Sequence, residues 1–177
     1  MGGDPQNQAQ SGSRAGTSGR VLSPSATTTL LGKAYGLLLM DIQLLHHVSV
    51  PVRDLERSKR FYREILGFHE IPRPNFPFGG AWFRIAEGQE LHLILEHTDA
   101  TYREGKGIDS GDYHYALRVR SFRETVEFLR AKGYREDPSA GLLELRVVPQ
   151  PITGYPQIYI MDPDRHLIEI NAAVLDL

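Results

Sequence analysis

The chain has no cysteine among its 177 residues. That absence excludes disulfides, thiolate zinc sites, iron–sulfur clusters and a cysteine nucleophile, so a metal here has only imidazole nitrogen and carboxylate oxygen to bind. An excess of charge of one sign is missing as well. Lys plus Arg number 20 against 22 Asp plus Glu, a net charge of −2, and without a basic field the sequence argues against nucleic-acid or anionic-membrane binding. The apolar run Leu37-Leu38-Leu39-Met40 is far short of the about 20 residues that span a bilayer. It follows a long polar stretch and leads straight into a strand, unlike the order of a signal peptide, so a cytoplasmic protein is expected. Tryptophan occurs once, at Trp82. What is present, 41% hydrophobic and 24% charged residues, is globular in composition, and the length suits one domain.

Order-promoting residues are scarce at one end. Residues 1–39 hold 18 Gly, Pro, Ser or Thr, one aromatic (Tyr35) and one acid (Asp4). Such a segment cannot bury enough apolar surface to offset the entropy of ordering. It reads as a disordered or dispensable tail, or as translation from an upstream start with Met40 as the working first residue. The tail holds three basic residues, so residues 40–177 carry 17 basic against 21 acidic side chains, and this compact part is the more acidic one.

The compact part repeats itself. His47-Val-Ser-Val-Pro-Val52 and His114-Tyr-Ala-Leu-Arg-Val119 each open on histidine and continue as an alternating apolar strand. A helix follows each. Asp54 caps the first, with Leu55, Ser58, Phe61, Tyr62, Ile65 and Leu66 on one face; Ser121 and Glu124 form a capping-box pattern for the second, with a Phe122, Val126, Leu129 stripe. Gly67 and Gly133 stop them. Further strands are expected near 81–86 and 90–96, and near 143–149, 156–162 and 166–171. The fold class predicted is α+β: two tandem strand–helix–three-strand modules, about 42–97 and 112–172, whose curved mixed sheet has its helices on the outer face.

Strand alternation then singles out four polar side chains. His47 opposes Val48 and Val50, and His114 opposes Tyr115 and Leu117. In the last strands His92 opposes Leu91 and Leu93, and Glu169 opposes Ile168 and Ile170. Taken singly, each is an ordinary strand residue. Their matched placement in both units points to a metal site of His47, His92, His114 and Glu169, a set suited to a divalent zinc, nickel, iron or manganese ion. His46 has the parity of Val48 and should face the helix layer or an edge, while His69, His97 and His166 fall at strand ends or turns. Arg118 shares the face of His114, where it could receive a substrate carboxylate or phosphate, or pair with Glu96 at the rim. Trp82, with Phe76 and Phe78, either walls the substrate pocket or belongs to the core.

These stretches resemble the vicinal oxygen chelate superfamily of glyoxalase I, fosfomycin-resistance proteins, bleomycin resistance proteins and extradiol dioxygenases. The matching segments are Leu45–Ser58, Phe61–Phe68, Glu90–Ile94, Asp112–Leu117 and Asp162–Ile170. The resemblance implies βαβββ modules around a metal cleft and ligands at His47, His92, His114 and Glu169. It implies a metal-dependent, glyoxalase-like lyase or isomerase acting on a small molecule with vicinal oxygens through an enediolate-type intermediate. A dioxygenase, a thiol transferase of the fosfomycin-resistance kind and a non-catalytic small-molecule binder are the alternatives. Glyoxalase I-like enzymes usually have a carboxylate at the position of His92, which leaves Glu169 as the base among the ligands, its pKa tuned by the metal. A homodimer is expected, because in this family the cleft is often completed between subunits; whether His47 meets His114 within one chain or across two is left open. Arg165 stands where the family usually has a turn glycine, so either the turn differs or the arginine is strained.

Overall fold

The computed structural model describes residues 42–95 and 103–176. The chain divides into two units at Leu44/Leu45, and all the helices and strands described belong to the second. Glu96, His97 and the 1–39 tail lie outside the described residues.

Two mixed four-stranded sheets form, each from one βαβββ module. In the first module β1 (His47–Val52) is followed by helix α1 (Leu55–Glu64), then β2 (His69–Ile71), β3 (Gly80–Ala86) and β4 (Gln89–Leu95). The second runs β5 (His114–Val119), α2 (Phe122–Ala131), a 3₁₀ turn (Pro138–Leu143), β6 (Arg146–Val148), β7 (Gln157–Met161) and β8 (Leu167–Ala172). The sheet orders β1-β4-β3-β2 and β5-β8-β7-β6 are the same, with β1 parallel to β4 and β5 parallel to β8. The first strand of each module is therefore an edge strand.

The helix ends follow the sequence signals. Asp54 accepts the Arg57 amide at 2.9 Å and Ser121 Oγ accepts the Glu124 amide at 3.0 Å. The second helix has an additional cap from far along the chain, as Asp176 Oδ1 accepts the Phe122 and Arg123 amides. Gly67 and Gly133 adopt φ of +69° and +93°, the left-handed conformation that closes a helix and that glycine takes without a Cβ clash.

One continuous core joins the two modules. Val50, Phe61, Phe83 and Leu93 of the first belong to the same buried cluster as Phe122, Leu129, Ile158 and Ile170 of the second. Each such side chain contributes about 1.5–3 kcal/mol on burial. A polar clamp sits at the junction. Arg57 Nη2 and Ser58 Oγ of α1 donate to Asp164, Tyr62 Oη donates to Asp162 Oδ2 at 2.7 Å, and His166 Nε2 meets the Pro51 carbonyl at 2.7 Å.

Some expectations need correction. The third strand of the first module, expected without bounds, is the three-residue β2, and the strand expected at 143–149 is only Arg146–Val148 because the residues before it form the 3₁₀ turn. His46 is exposed beside the edge strand β1 and lies edge-on to His47, the edge position its parity allowed. Arg165 does adopt a left-handed φ of +68°, so of the two readings offered for it, the strained one describes this turn.

Candidate functional site

The first sheet gathers a column of rings. Cross-strand pairing sets Ser49 beside His92 and His92 beside Trp82, and neighbours across a sheet share a face. Trp82 stacks on His92 with ring centroids 4.1 Å apart, and His92 stacks on His47 at 4.3 Å. The Nδ1 atoms of His46 and His47 are 2.9 Å apart. Glu90 closes the group, its Oε2 lying 2.9 Å from His92 Nε2. The His92 hydrogen bond is the main reason the Glu90 carboxyl is held below its ordinary value; partial burial opposes it, and the charges of His92, His46 and His47 add to it. Sequence reasoning missed Glu90, although its parity matches that of His92.

The second sheet builds a carboxylate cradle. Glu169 is 4% exposed. Its Oε2 accepts from Gln157 Nε2 and Tyr159 Oη, both at 3.0 Å, and its Oε1 accepts from Asn171 Nδ2 at 2.6 Å. Burial pushes the Glu169 carboxyl up, but the hydrogen bonds from Asn171, Gln157 and Tyr159, with the charge of His114, outweigh it and hold the group below its ordinary value. The same contact with Glu169, after burial, pushes the Tyr159 hydroxyl up to about 12. Gln157, Tyr159 and Asn171 were not anticipated either. Their signal is register: Tyr159 pairs with Glu169, and Gln157 with Asn171.

His114 faces this cradle, its Nε2 3.5 Å from Glu169 Oε2. Its Nδ1 lies 2.8 Å from the Asp112 carbonyl, and a carbonyl only accepts, so Nδ1 carries the proton. In the neutral ring Nε2 then directs a lone pair at a carboxylate oxygen. Two electron-pair donors so placed repel unless a proton or a cation lies between them, and a second-nitrogen bond to a carbonyl is the usual way a protein orients a metal-binding imidazole. Asp112 is itself fixed by Arg103 and Lys106, at 2.6 and 3.1 Å.

The donors therefore fit a divalent metal in kind, as two pairs: His47 with His92, and His114 with Glu169. Among the described residues no cluster of three or more His, Cys, Asp or Glu is close enough to hold an ion. His47 and His114 do line a common cavity of about 870 Å³. Trp82 belongs with the first pair. Arg118 shares the exposed face of β5 with His114 but lies further along the strand, its guanidinium 5.0 Å from the Tyr155 ring centroid; it joins neither pair.

Comparison with known proteins agrees with this architecture. The family model for the Glyoxalase/Bleomycin resistance protein/Dioxygenase superfamily matches residues 44–170. A protein named Glyoxylase I 4 of Arabidopsis thaliana is 30% identical over 132 residues, covering 74% of this chain and 71% of that protein. The fosfomycin resistance protein FosX of Listeria monocytogenes is 26% identical over 135 residues, 75% of this chain and 91% of its own. Among solved structures, a glyoxalase family protein from Bacillus anthracis aligns with a TM-score of 0.55 at 25% identity, over 74% of this chain and 95% of that one. A FosX variant solved with Mn(II) and a dihydroxypropylphosphonic acid shares the fold at a TM-score of 0.55 and 23% identity, over 76% of this chain and 95% of that one. Among the described residues no helix is long and apolar enough to cross a membrane.

Proposed function

Since this chain belongs to the glyoxalase/bleomycin resistance protein/dioxygenase superfamily, we propose that it is a metal-dependent enzyme of the glyoxalase type, a lyase or isomerase acting on a small molecule with adjacent oxygens. His47 and His92 of one copy and His114 and Glu169 of a second would hold one divalent zinc, nickel, iron or manganese ion, so the active form is a homodimer. The observation that carries this reading is the fixed His114 ring, with Nδ1 bound to the Asp112 carbonyl and Nε2 facing Glu169 at 3.5 Å.

The bound ion would supply Lewis-acid stabilisation of negative charge on substrate oxygens. The protein does the rest. Gln157, Tyr159 and Asn171 keep Glu169 ionised at neutral pH, the state a base must start from. The ring column of Trp82, His92 and His47 would present a flat face to the substrate.

Three donors on Glu169 also make it a weak base, and that observation favours a second reading, thiol transfer, in which a carboxylate needs only to bind. Elemental analysis of the purified chain after loading separates the metal reading from a metal-free binding protein: about one ion per chain is expected, and His114→Ala should lose most of it. Less than a few tenths of an ion per chain, or an unchanged content in His114→Ala, removes the reading. Consumption of the methylglyoxal–glutathione hemithioacetal supports the lyase, and thiol addition to fosfomycin supports the transferase.

A further inference from the structure

The loop between β2 and β3, residues 72–79, extends the ring column outward. Phe76 stacks on Phe78 at 5.2 Å and lies 6.1 Å from Trp82. Both phenylalanines are 39% exposed, an arrangement that core packing does not explain. Over them lies Arg73, its guanidinium carbon 4.8 Å from the Phe76 centroid and 5.0 Å from that of Phe78. Arg73 Nη2 donates to the Phe78 carbonyl at 2.8 Å, and among the described residues no carboxylate pairs with it. Most of the donor capacity of the guanidinium is thus uncommitted.

This placement is built into the backbone. A Cβ on Gly80 would stand 2.4 Å from the Leu93 carbonyl oxygen and 3.2 Å from Arg73 Nε, so glycine lets β3 begin directly beneath the guanidinium. A planar cation held against two aromatic rings is weakly hydrated and can meet a carboxylate in its own plane.

We propose that Arg73, Phe76 and Trp82 form a substrate subsite for a small carboxylate bearing a flat apolar ring. The carboxylate lies on Arg73 and the ring rests on the phenylalanine–tryptophan shelf, which leads to His92. The proposal deepens the function proposed above and rests on it only for the chemistry at the histidine end.

The test is calorimetric titration of the metal-free full chain with 3-phenyllactate (ring and carboxylate), its methyl ester (ring alone) and lactate (carboxylate alone). Phenyllactate should bind at least about tenfold tighter than either, the advantage a charge-assisted hydrogen bond confers. Arg73→Gln should bring the acid to the affinity of the ester and leave the ester unchanged, while Phe76→Leu should weaken both ring-bearing ligands and leave lactate unchanged. Trp82, the single tryptophan, should change its emission as the shelf fills. Equal affinity of acid and ester, or an intact acid advantage in Arg73→Gln, overturns the proposal. If Arg73→Gln does not fold, Arg73→Lys replaces it: the compact ammonium should cut the acid advantage by at least about threefold, and full retention overturns the proposal equally. Because no metal is present, failure here leaves the metal-loading result untouched. Conversely, His114→Ala, on the other sheet and outside the ring column, should lose metal uptake while keeping the acid-to-ester ratio.

Discussion

Arg165 holds a left-handed φ of +68° at a cost of about 1–2 kcal/mol. What it gains is a bridge. Its amide closes the turn onto the Asp162 carbonyl, its Nη1 donates to the Lys106 carbonyl at 2.7 Å, and its own carbonyl accepts Arg103 Nη1 at 2.7 Å. Arg103 in turn fixes Asp112, whose carbonyl orients His114. Replacing Arg165 by glycine relieves the backbone but loses one hydrogen bond, so Arg165→Gly should stay within about 1 kcal/mol of the parent in urea unfolding. Arg165→Val combines a β-branched side chain at positive φ with the lost bond and should cost about 2 kcal/mol or more. At this scale the sequence was readable where parity was strong: His47, His92, His114 and Glu169 oppose rows of Val, Leu and Ile. Glu90 escaped because it sits at the start of β4, next to a turn, where alternation has barely begun.

Helix α1 and the β7–β8 turn are held together by carboxylates. Asp162 is wholly buried, its Oδ1 accepts the Asp164 and His166 amides, and its Oδ2 accepts Tyr62 Oη. Burial pushes its carboxyl above the ordinary 3.8; His166 and Tyr62 oppose that shift and Asp164 adds to it. Tyr115 and Tyr134 also face Asp162, and burial raises both of their hydroxyls. The folded chain therefore holds this proton more tightly than the unfolded chain does. Stability from Asp162 should grow as pH falls through its folded pKa toward 3.8 and decline as pH rises. Asp162→Asn keeps an acceptor for the two amides and should remove that component from a stability–pH profile; an unchanged profile would contradict the assignment. The helices were readable in advance because period, cap and stop glycine coincided. The bounds of β2 were not, since His69-Glu70-Ile71 is too short to alternate visibly, and neither were the partners of Glu169, because the pairing of β7 with β8 is tertiary.

In the whole molecule, the four candidate ligands stand as two pairs on two sheets. No reading of spacing along the chain separates a site within one copy from a site shared by two, since both place the same residues on the same strands. Mixing does separate them. A His47→Ala/His92→Ala chain and a His114→Ala/Glu169→Gln chain should each bind almost no metal alone. Refolded together, they should recover up to about a quarter of an ion per chain, because each mixed dimer of random assembly has one intact site. No recovery would place the site within a single copy. The shared core has a consequence of another kind. The apolar outer face of each sheet is buried in a cluster to which both modules contribute, so a half-length chain would leave that face wet. Such a half could fold only by covering it with a second copy of itself.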